Sequence, residues 1–413
     1  MGFYGSNEPG RFIIQAMPSP LPYSRPLFWI LIVFAATAVA SVALQNLVWV
    51  AVLLFFFAHW KSGQKVDWPR GLFPVATLLF LITFFIGAIL GADPANSFHT
   101  VHKYLALLMI FPLGAMALTS DQVRKLLLAF LYGAAFCALA GIGKHFILHQ
   151  DRIDSFSGDK MVFGGMLMVS LLFLLYFLSK SPKDPWLWTS TVLVGTALLF
   201  TQTRGAWIGF LPGLVLLLWK FGRKWLLIGL LLMAGSFFIL PTPLQERVKS
   251  VTELNLTYDG PPGVMTIINS SQTRVLIWVS GLKMIQAHPW GVGQGNVEKE
   301  FPKYRLYTLS GVENTVPHLH DNFLQILAQN GWLGLAVYLL WIFSYYRTAV
   351  LWKGADLGMR GLNWAFLSAF TAVLVWGLTE YTFSHQFMNI QFFLLGLQLN
   401  LWKNNAGFQS MNR

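Results

Sequence analysis

Long apolar runs, separated by short polar segments, extend over most of the sequence and restrict its fold more than any other feature. Hydrophobic residues make up 55% of the 413 residues, and charged residues make up only 11%. A soluble domain of ordinary composition carries about 25% charged residues. Because a water-facing surface cannot be built from so few charges, the sequence predicts an integral membrane protein.

The apolar runs predict α-helices, because a membrane β-strand would alternate apolar and polar residues. A helix that spans the membrane needs about 20 mainly apolar residues, within a range of about 17 to 25. We therefore predict an all-α integral membrane protein with about 12 transmembrane helices. The predicted segments lie at about 26–43, 46–60, 71–91, 103–119, 126–147, 162–179, 186–202, 205–219, 225–240, 331–346, 362–381 and 389–402.

The distribution of Lys and Arg predicts the orientation, because cytoplasmic loops carry an excess of basic residues. Of the 29 basic residues, 17 fall in the short loops and tails on the side of the N-terminus. Five fall in the short loops on the opposite side, namely Lys103, Lys144, Arg152, Lys160 and Arg204. Both termini are therefore predicted to be cytoplasmic.

One long polar segment, at 241–330, interrupts the apolar pattern and is predicted to lie outside the cytoplasm. It divides the chain into an N-terminal bundle at 1–240 with about nine helices, a loop domain, and about three C-terminal helices with a tail at 331–413. So long a segment is expected to contain helices and to carry function. We predict an interfacial helix from Arg274 to Gln286 and a second helix from Asp321 to Gln329, which Gly331 could end.

Two arginines are candidates for binding an anion. Arg204 lies in TQTRGAW, between two closely spaced apolar runs, and Arg274 ends SSQTR at the start of the predicted interfacial helix. A guanidinium near the membrane is costly unless it is paired or faces a polar cavity, and its fork fits phosphate oxygens. The alternatives are an Arg204 that reaches lipid headgroups and an Arg274 that is an ordinary surface residue.

Two histidines in PHLHDNFLQ are candidates for acid–base chemistry. His320 precedes a predicted helix start, where the helix dipole keeps an imidazole neutral and able to act as a general base. His318 could assist it or only hydrogen-bond the loop. A metal site that includes Asp321 is the weaker interpretation, because His318 and His320 lack the spacing of four that is typical of a helix-borne site.

Two further features exclude other ligands. The net charge is +12, but the basic residues are scattered between apolar runs, so we predict no nucleic-acid surface. The glycine-rich HPWGVGQGN (His288–Asn296) lacks the strand and helix that flank a dinucleotide site, so we predict a tight turn.

Four motifs in a fixed order resemble the bacterial O-antigen ligase and polymerase superfamily, and the likeness covers most of the chain. Family members usually have His-Asn where this chain has His320-Asp321. The length near 400 residues is most like the lipopolysaccharide O-antigen ligase. The motifs are TQTRGAW (Thr201–Trp207), an Arg-x-x-x-Trp helix (Arg274–Trp278), HPWGVGQGN, and His-x-His-Asp-x-x-Leu-Gln (His318–Gln325) leading into Asn-Gly-Trp-Leu-Gly-Leu.

The resemblance implies an inverting, metal-independent glycosyltransferase of the bacterial inner membrane, with a GT-C-like fold and a periplasmic active site. Its donor would be O-antigen on undecaprenyl diphosphate, and its acceptor a sugar hydroxyl of the lipid A core. Arg204 and Arg274 match the family's arginines tied to the donor diphosphate. His320 matches the residue that activates the acceptor, with His318 as a second candidate, and no cofactor is implied.

Other functions stay open at this point. An O-antigen polymerase and a protein O-oligosaccharyltransferase belong to the same superfamily. A transporter of lipid-linked glycans is less favoured, because transporters place ionisable residues at the midplane and the candidates here gather on one face. Glu380 could assist catalysis, pair with an arginine or contact water.

Overall fold

The computed structural model describes residues 24–61, 66–116, 118–154, 158–222, 270–305, 316–354 and 357–403, with single positions at 156, 224, 227, 242, 245 and 246. Every regular element in these ranges is a helix, which confirms the all-α prediction for the described part. The α-helices are α1 (Ser24–Thr37), α2 (Val42–Lys61), α3 (Leu72–Leu90), α4 (Pro94–Val101), α5 (Ile110–Ala115), α6 (Ser120–Leu148), α7 (Lys160–Lys180), α8 (Pro185–Phe200), α9 (Arg204–Phe221), α10 (Ser270–Ala287), α11 (Val297–Glu300), α12 (Asn322–Leu351), α13 (Leu357–Trp376) and α14 (His385–Lys403).

Several helices are suited to crossing a membrane. Among the described residues, α3, α6, α7 and α12 are long and apolar enough to do so. Shorter apolar helical stretches occur at Pro26–Thr37, Val42–Ala58 and Pro185–Phe200. These helices fit a membrane protein, and the total number of spans stays a prediction. The predicted segment at 225–240 and most of 241–269 lie outside the described residues, and the domain division stays a prediction as well.

The segment predicted as one span at 103–119 has a different structure. A 3₁₀-helix (His102–Met109) follows α4 and leads into the short α5, which gives way to extended backbone at Met116. Pro112 lies inside this stretch and has no N–H for the α-helical hydrogen bond. The chain therefore makes a series of short helical turns at this position instead of a single long helix.

The helix α12 joins two elements that the sequence predicted as separate. Asp321 caps its start, where the carboxylate accepts the N–H of Leu324 at 2.7 Å. Gly331 interrupts the helix with φ 64°, and the chain then continues as helix to Leu351. The prediction that Gly331 ends the first helix is therefore correct, although the second helix follows without a loop.

The glycine-rich segment His288–Asn296 packs on this break and forms the predicted turn. Val292 and Gly293 donate their N–H groups to the carbonyls of Ala328 and Gln329, at 2.7 and 3.0 Å. Trp332 donates its N–H to the Pro289 carbonyl at 3.2 Å. These bonds satisfy backbone groups that the break in α12 leaves without a helical partner.

A buried polar network joins the last three helices. Asn363 of α13 accepts hydrogen bonds from Gln398 and Trp402 of α14, at 2.9 and 2.7 Å. Tyr345 of α12 donates to Gln398 at 2.8 Å. Such bonds hold helices together where burial against lipid offers little driving force. Around the network, α13 packs against α9 and α7, and α12 packs against α3.

We predict that Gly331→Ala destabilises the protein. A Cβ there would lie 2.5 Å from the Pro289 carbonyl oxygen, at a φ that disfavours side chains. The free energy of unfolding should fall by about 2 kcal/mol or more. Thermal unfolding of the detergent-purified protein measures it. Gly143→Ala is the matched control, because its Cβ would have nothing within 4 Å. Equal stability of the two variants would contradict the close packing of the His288–Asn296 turn against Gly331.

Candidate functional site

A buried carboxylate, Glu380, lies at the centre of the candidate site. It occupies the turn between α13 and α14 and is only 5% exposed. His318 Nε2 lies 2.9 Å from its Oε1, and His320 Nδ1 lies 3.0 and 3.2 Å from its two oxygens. Arg274 Nη2 lies 3.4 Å from Oε2. Three of the four sequence-predicted site residues therefore meet on one carboxylate.

Asn322 holds the Glu380 turn against the histidine loop. Its Nδ2 donates to Thr382 Oγ1 at 2.8 Å, and its Oδ1 accepts the Thr382 N–H at 2.8 Å. Its own N–H donates to the Gly377 carbonyl at 2.7 Å. A Cβ on Gly377 would collide with the Asn322 amide, so only glycine fits there. The histidines in the loop before α12 and the anchor of their carboxylate at its first residue are therefore adjacent in the chain.

The Arg-x-x-x-Trp spacing has a structural explanation. Arg274 and Trp278 are one helical turn apart on α10 and therefore share a face. Trp278 Nε1 donates to the Leu319 carbonyl, between the two histidines, at 3.0 Å, while Arg274 reaches Glu380. The tryptophan fixes α10 against the histidine loop, which brings the arginine to the carboxylate.

Arg204 and Arg274 line one cleft of about 660 Å³. Arg204 is the first residue of α9 and is 8% exposed. A third arginine, Arg152, lines the same cleft from the loop before α7. Its Nε donates to the Thr201 carbonyl at 3.1 Å, and Gln202 donates to the Asp151 carbonyl at 3.0 Å. These bonds fix the loop that carries Arg152 to the turn that precedes Arg204.

A second cleft, of about 1320 Å³, adjoins the first. Met161, His320, Trp376 and Glu380 line both clefts and so form their boundary. The lining of the larger cleft mixes neutral polar, apolar and charged residues, includes two tyrosines, and has mostly acidic charges where the first cleft has mostly arginines. Its polar members include Asn96, Thr100, Lys103, Tyr104, Asp159, Glu298, His318, Gln325, Gln329, Tyr381 and Ser384.

Two residues of the first cleft have a backbone conformation that side chains rarely adopt. Gln202 has φ 52° and His320 has φ 51°. Such strain is typical of functional sites, where the surrounding structure holds a residue in place. At His320 the hydrogen bonds to Glu380 and the cap at Asp321 provide that support.

Two carboxyl groups have shifted pKa values. Burial acts to raise the pKa of Glu380, but hydrogen bonds and charge from His318 and His320 outweigh it and lower the pKa. Glu380 is therefore ionised and accepts hydrogen bonds at neutral pH. Burial raises the pKa of Asp321 to about 6, against the backbone hydrogen bonds from Leu324 and Phe323.

His318, His320 and Glu380 also form a set of potential metal ligands. One ligand atom from each lies within 4.8 Å of the others. Two imidazoles and a carboxylate are a donor set that zinc accepts. In the structure the imidazole nitrogens face the carboxylate directly, so the three groups already satisfy one another.

The motifs identified four of the site residues but not Glu380, Arg152 or Trp376. Glu380 is 60 residues from His320 and lies in a turn with no recognisable motif. Its one signal is a carboxylate next to an apolar segment, which is costly unless paired. Arg152 lies in a short loop and belongs to none of the motifs, so the sequence alone does not identify it as a site residue. The metal interpretation named Asp321, whereas the carboxylate in contact with the histidines is Glu380.

The described part of the chain is an all-helical protein with helices suited to crossing a membrane, and it has an arginine-lined cleft beside a histidine–carboxylate cluster. A family model described as O-Antigen ligase matches residues 189–339, a range that includes Arg204, Arg274, His318 and His320. This match confirms the resemblance and supports a membrane enzyme of the O-antigen ligase and polymerase superfamily. No curated protein matches the chain.

We predict that Asp321→Asn stabilises the protein at neutral pH but not at acidic pH. Because the folded-state pKa is about 6 against 3.8, the wild type has its full stability below about pH 3.8 and loses it as the pH rises through about 6. The amide keeps the helix cap without burying a charge. The gain should approach about 3 kcal/mol at most.

Thermal unfolding between about pH 3.5 and 7 tests this prediction, because the difference builds up between the unfolded-state pKa of 3.8 and the folded-state pKa of about 6. Asp184 caps α8 through the N–H groups of Trp186 and Leu187, so Asp184→Asn is a matched cap substitution. A gain that does not grow with pH, or that is equal in both variants, would contradict the prediction.

Proposed function

We propose that the protein is an O-antigen ligase that transfers a preassembled glycan from undecaprenyl diphosphate to a sugar hydroxyl of the lipid A core, on the periplasmic face of the inner membrane. The observation that carries this proposal is the meeting of two clefts at His320, one lined by arginines and the other by a mixture of polar, aromatic and mostly acidic charged groups. A transferase needs this arrangement, because two chemically different substrates must react at one boundary.

The arginine-lined cleft fits the donor diphosphate. Arginine presents a planar fork that matches phosphate oxygens and stays charged at any physiological pH. As the bond between the anomeric carbon and the phosphate oxygen breaks, negative charge grows on the diphosphate, and fixed cations stabilise that charge. Arg204 and Arg274 supply this stabilisation without a divalent ion, and Arg152 adds a third cation at the same cleft.

His320 is suited to activating the acceptor. Its Nδ1 faces the ionised Glu380 and therefore carries the proton, which leaves Nε2 as the basic nitrogen. Nε2 takes the proton of the acceptor hydroxyl as the oxygen attacks the anomeric carbon and undecaprenyl diphosphate leaves. Attack from the face opposite the leaving group inverts the anomeric centre. Glu380 orients the imidazole and stabilises the imidazolium that forms.

His318 has a supporting position in this scheme. It donates to the same Glu380 oxygen as His320 and lines only the larger cleft. We assign it to holding the carboxylate and to contact with the acceptor. The larger cleft would receive the acceptor sugar, since amide and hydroxyl groups hydrogen-bond sugar hydroxyls and the tyrosines offer apolar faces.

We predict that His320→Ala abolishes ligation in cells. A strain that lacks the gene, complemented with either protein, is compared by lipopolysaccharide gel. Loss of the base should slow transfer by about 100-fold or more. Wild type should attach long O-antigen, while the variant should leave core without O-antigen and accumulate polymer on the carrier. His99→Ala is the control, because His99 is exposed and lines neither cleft.

The same gel distinguishes the alternatives. Core that carries a single repeat in the deletion strain would indicate a polymerase and contradict the ligase proposal. Wild-type ligation by the His320→Ala protein would contradict the role of His320 as the base.

We predict that Arg204→Lys loses most of its activity although the charge is kept, because an ammonium cannot make the paired contacts of a guanidinium. Transfer by the reconstituted protein should fall by about 10-fold or more, mainly through weaker donor binding. Arg124→Lys is the matched control, because Arg124 is exposed near the start of α6 and lines neither cleft. The assay includes a chelator. Unchanged transfer by Arg204→Lys would contradict the binding of the diphosphate by Arg204. Loss of wild-type activity on chelation would contradict diphosphate binding without a metal ion.

A further inference from the structure

The indole of Trp376 has a polar group that the described structure does not satisfy. Trp376 ends α13, is 1% exposed and lines both clefts. Its Nε1 is buried and has no hydrogen-bond partner among the described residues. A buried donor without a partner costs about 1 to 3 kcal/mol, so native structures rarely keep one without a purpose.

Other tryptophans of the described bundle differ from Trp376 in this respect. Six of them donate their indole N–H to a protein oxygen at 2.7 to 3.3 Å, and these are Trp188, Trp207, Trp278, Trp341, Trp352 and Trp402. The contrast is sharpest with Trp341, which is equally buried and donates to Thr77 at 2.9 Å. The unsatisfied donor therefore belongs to the tryptophan at the boundary of the clefts.

Glycines fix the position of this indole. A Cβ on Gly165 would collide with the six-membered ring of Trp376, so the ring edge occupies the space that glycine leaves. On the opposite edge, a Cβ on Gly205 would lie 2.9 Å from Cδ1 and 3.2 Å from Nε1. The N–H edge thus faces the backbone beside Arg204, on the side of the arginine-lined cleft.

We propose that the Trp376 indole N–H donates a hydrogen bond to a phosphate oxygen of the lipid-linked donor. This proposal rests on the proposed function and adds a substrate-binding residue to it. A tryptophan N–H can only donate, so its partner must be an acceptor, and the cations of this cleft select an anionic one. Because Trp376 and His320 both line the boundary between the clefts, we place this oxygen on the phosphate next to the glycan, close to the bond that breaks.

Gly205 is explained by the same contact. A methyl group there would pack against the N–H edge of the indole and would also lie 2.5 Å from Thr379 Oγ1. The glycine after Arg204 therefore leaves no side chain over the N–H edge of the buried indole. In the proposed contact, Arg204 would supply the cation and Trp376 the neutral donor.

The test compares donor binding by variants that remove this N–H. Trp376→Phe removes the N–H but also part of the ring, so a second variant carries 3-benzothienylalanine at position 376, which keeps the bicyclic shape without a donor. Trp341→Phe controls for the loss of a buried indole elsewhere. Undecaprenyl diphosphate is titrated into each protein in nanodiscs, and thermal unfolding is measured with and without it.

Both position-376 variants should bind undecaprenyl diphosphate about 10-fold or more weakly than wild type, as expected for the loss of a hydrogen bond to a charged group. The ligand-free benzothienyl protein should be at least as stable as wild type, because it loses no internal bond. Trp341→Phe should be less stable but bind normally. Wild-type affinity in the benzothienyl protein would overturn the proposal, as would a loss of stability equal to its loss of affinity.

Arg204→Gln, measured in parallel, separates this inference from the proposed function. Normal affinity in the position-376 variants with weak binding in Arg204→Gln would refute only the role of Trp376. Normal affinity in all of them would refute the diphosphate cleft itself.

Discussion

The buried charge of Glu380 is the constraint on which the site depends. A carboxylate that is 5% exposed is stable only when cationic or hydrogen-bonding groups surround it. Here those groups come from α10, from the loop before α12 and, through the N–H of Tyr381, from the turn after α13. Removal of any partner leaves charge uncompensated in the interior, so the carboxylate makes three distant segments depend on one another. The positions of His318 and His320 therefore follow from the need to compensate the charge of Glu380 as much as from the local structure of their loop.

The sequence predicted the residues whose signal is local. Arg204 follows Thr203 at the start of α9, Arg274 lies in the first turns of α10, and His320 precedes a residue able to cap a helix, so their motifs are short and continuous. Glu380 carries no such signal, because its partners lie 60 and 106 residues away in the chain. Trp376 was equally hidden, since an apolar helix end predicts burial and does not reveal an unsatisfied N–H. Pairing across the fold cannot be derived from one sequence.

Hydropathy predicts where helices occur but is less informative about where a helix is interrupted. The stretch at 103–119 is apolar enough for a span, yet Pro112 and the packing around it favour short turns. Gly331 was correctly identified as a stop, but the immediate restart depends on backbone bonds from the His288–Asn296 turn. In α14 the Gln and Asn residues weaken the apolar pattern, and the structure buries them in a hydrogen-bonded network. These outcomes depend on neighbours far along the chain.

The two clefts share only four lining residues, and this separation has a kinetic meaning. A catalyst with one shared pocket must release its first product before the second substrate enters, and it stores the transferred group on itself. On the proposed function, adjoining compartments would instead allow both amphiphilic molecules to be bound together, so the glycan would pass directly between them in a ternary complex.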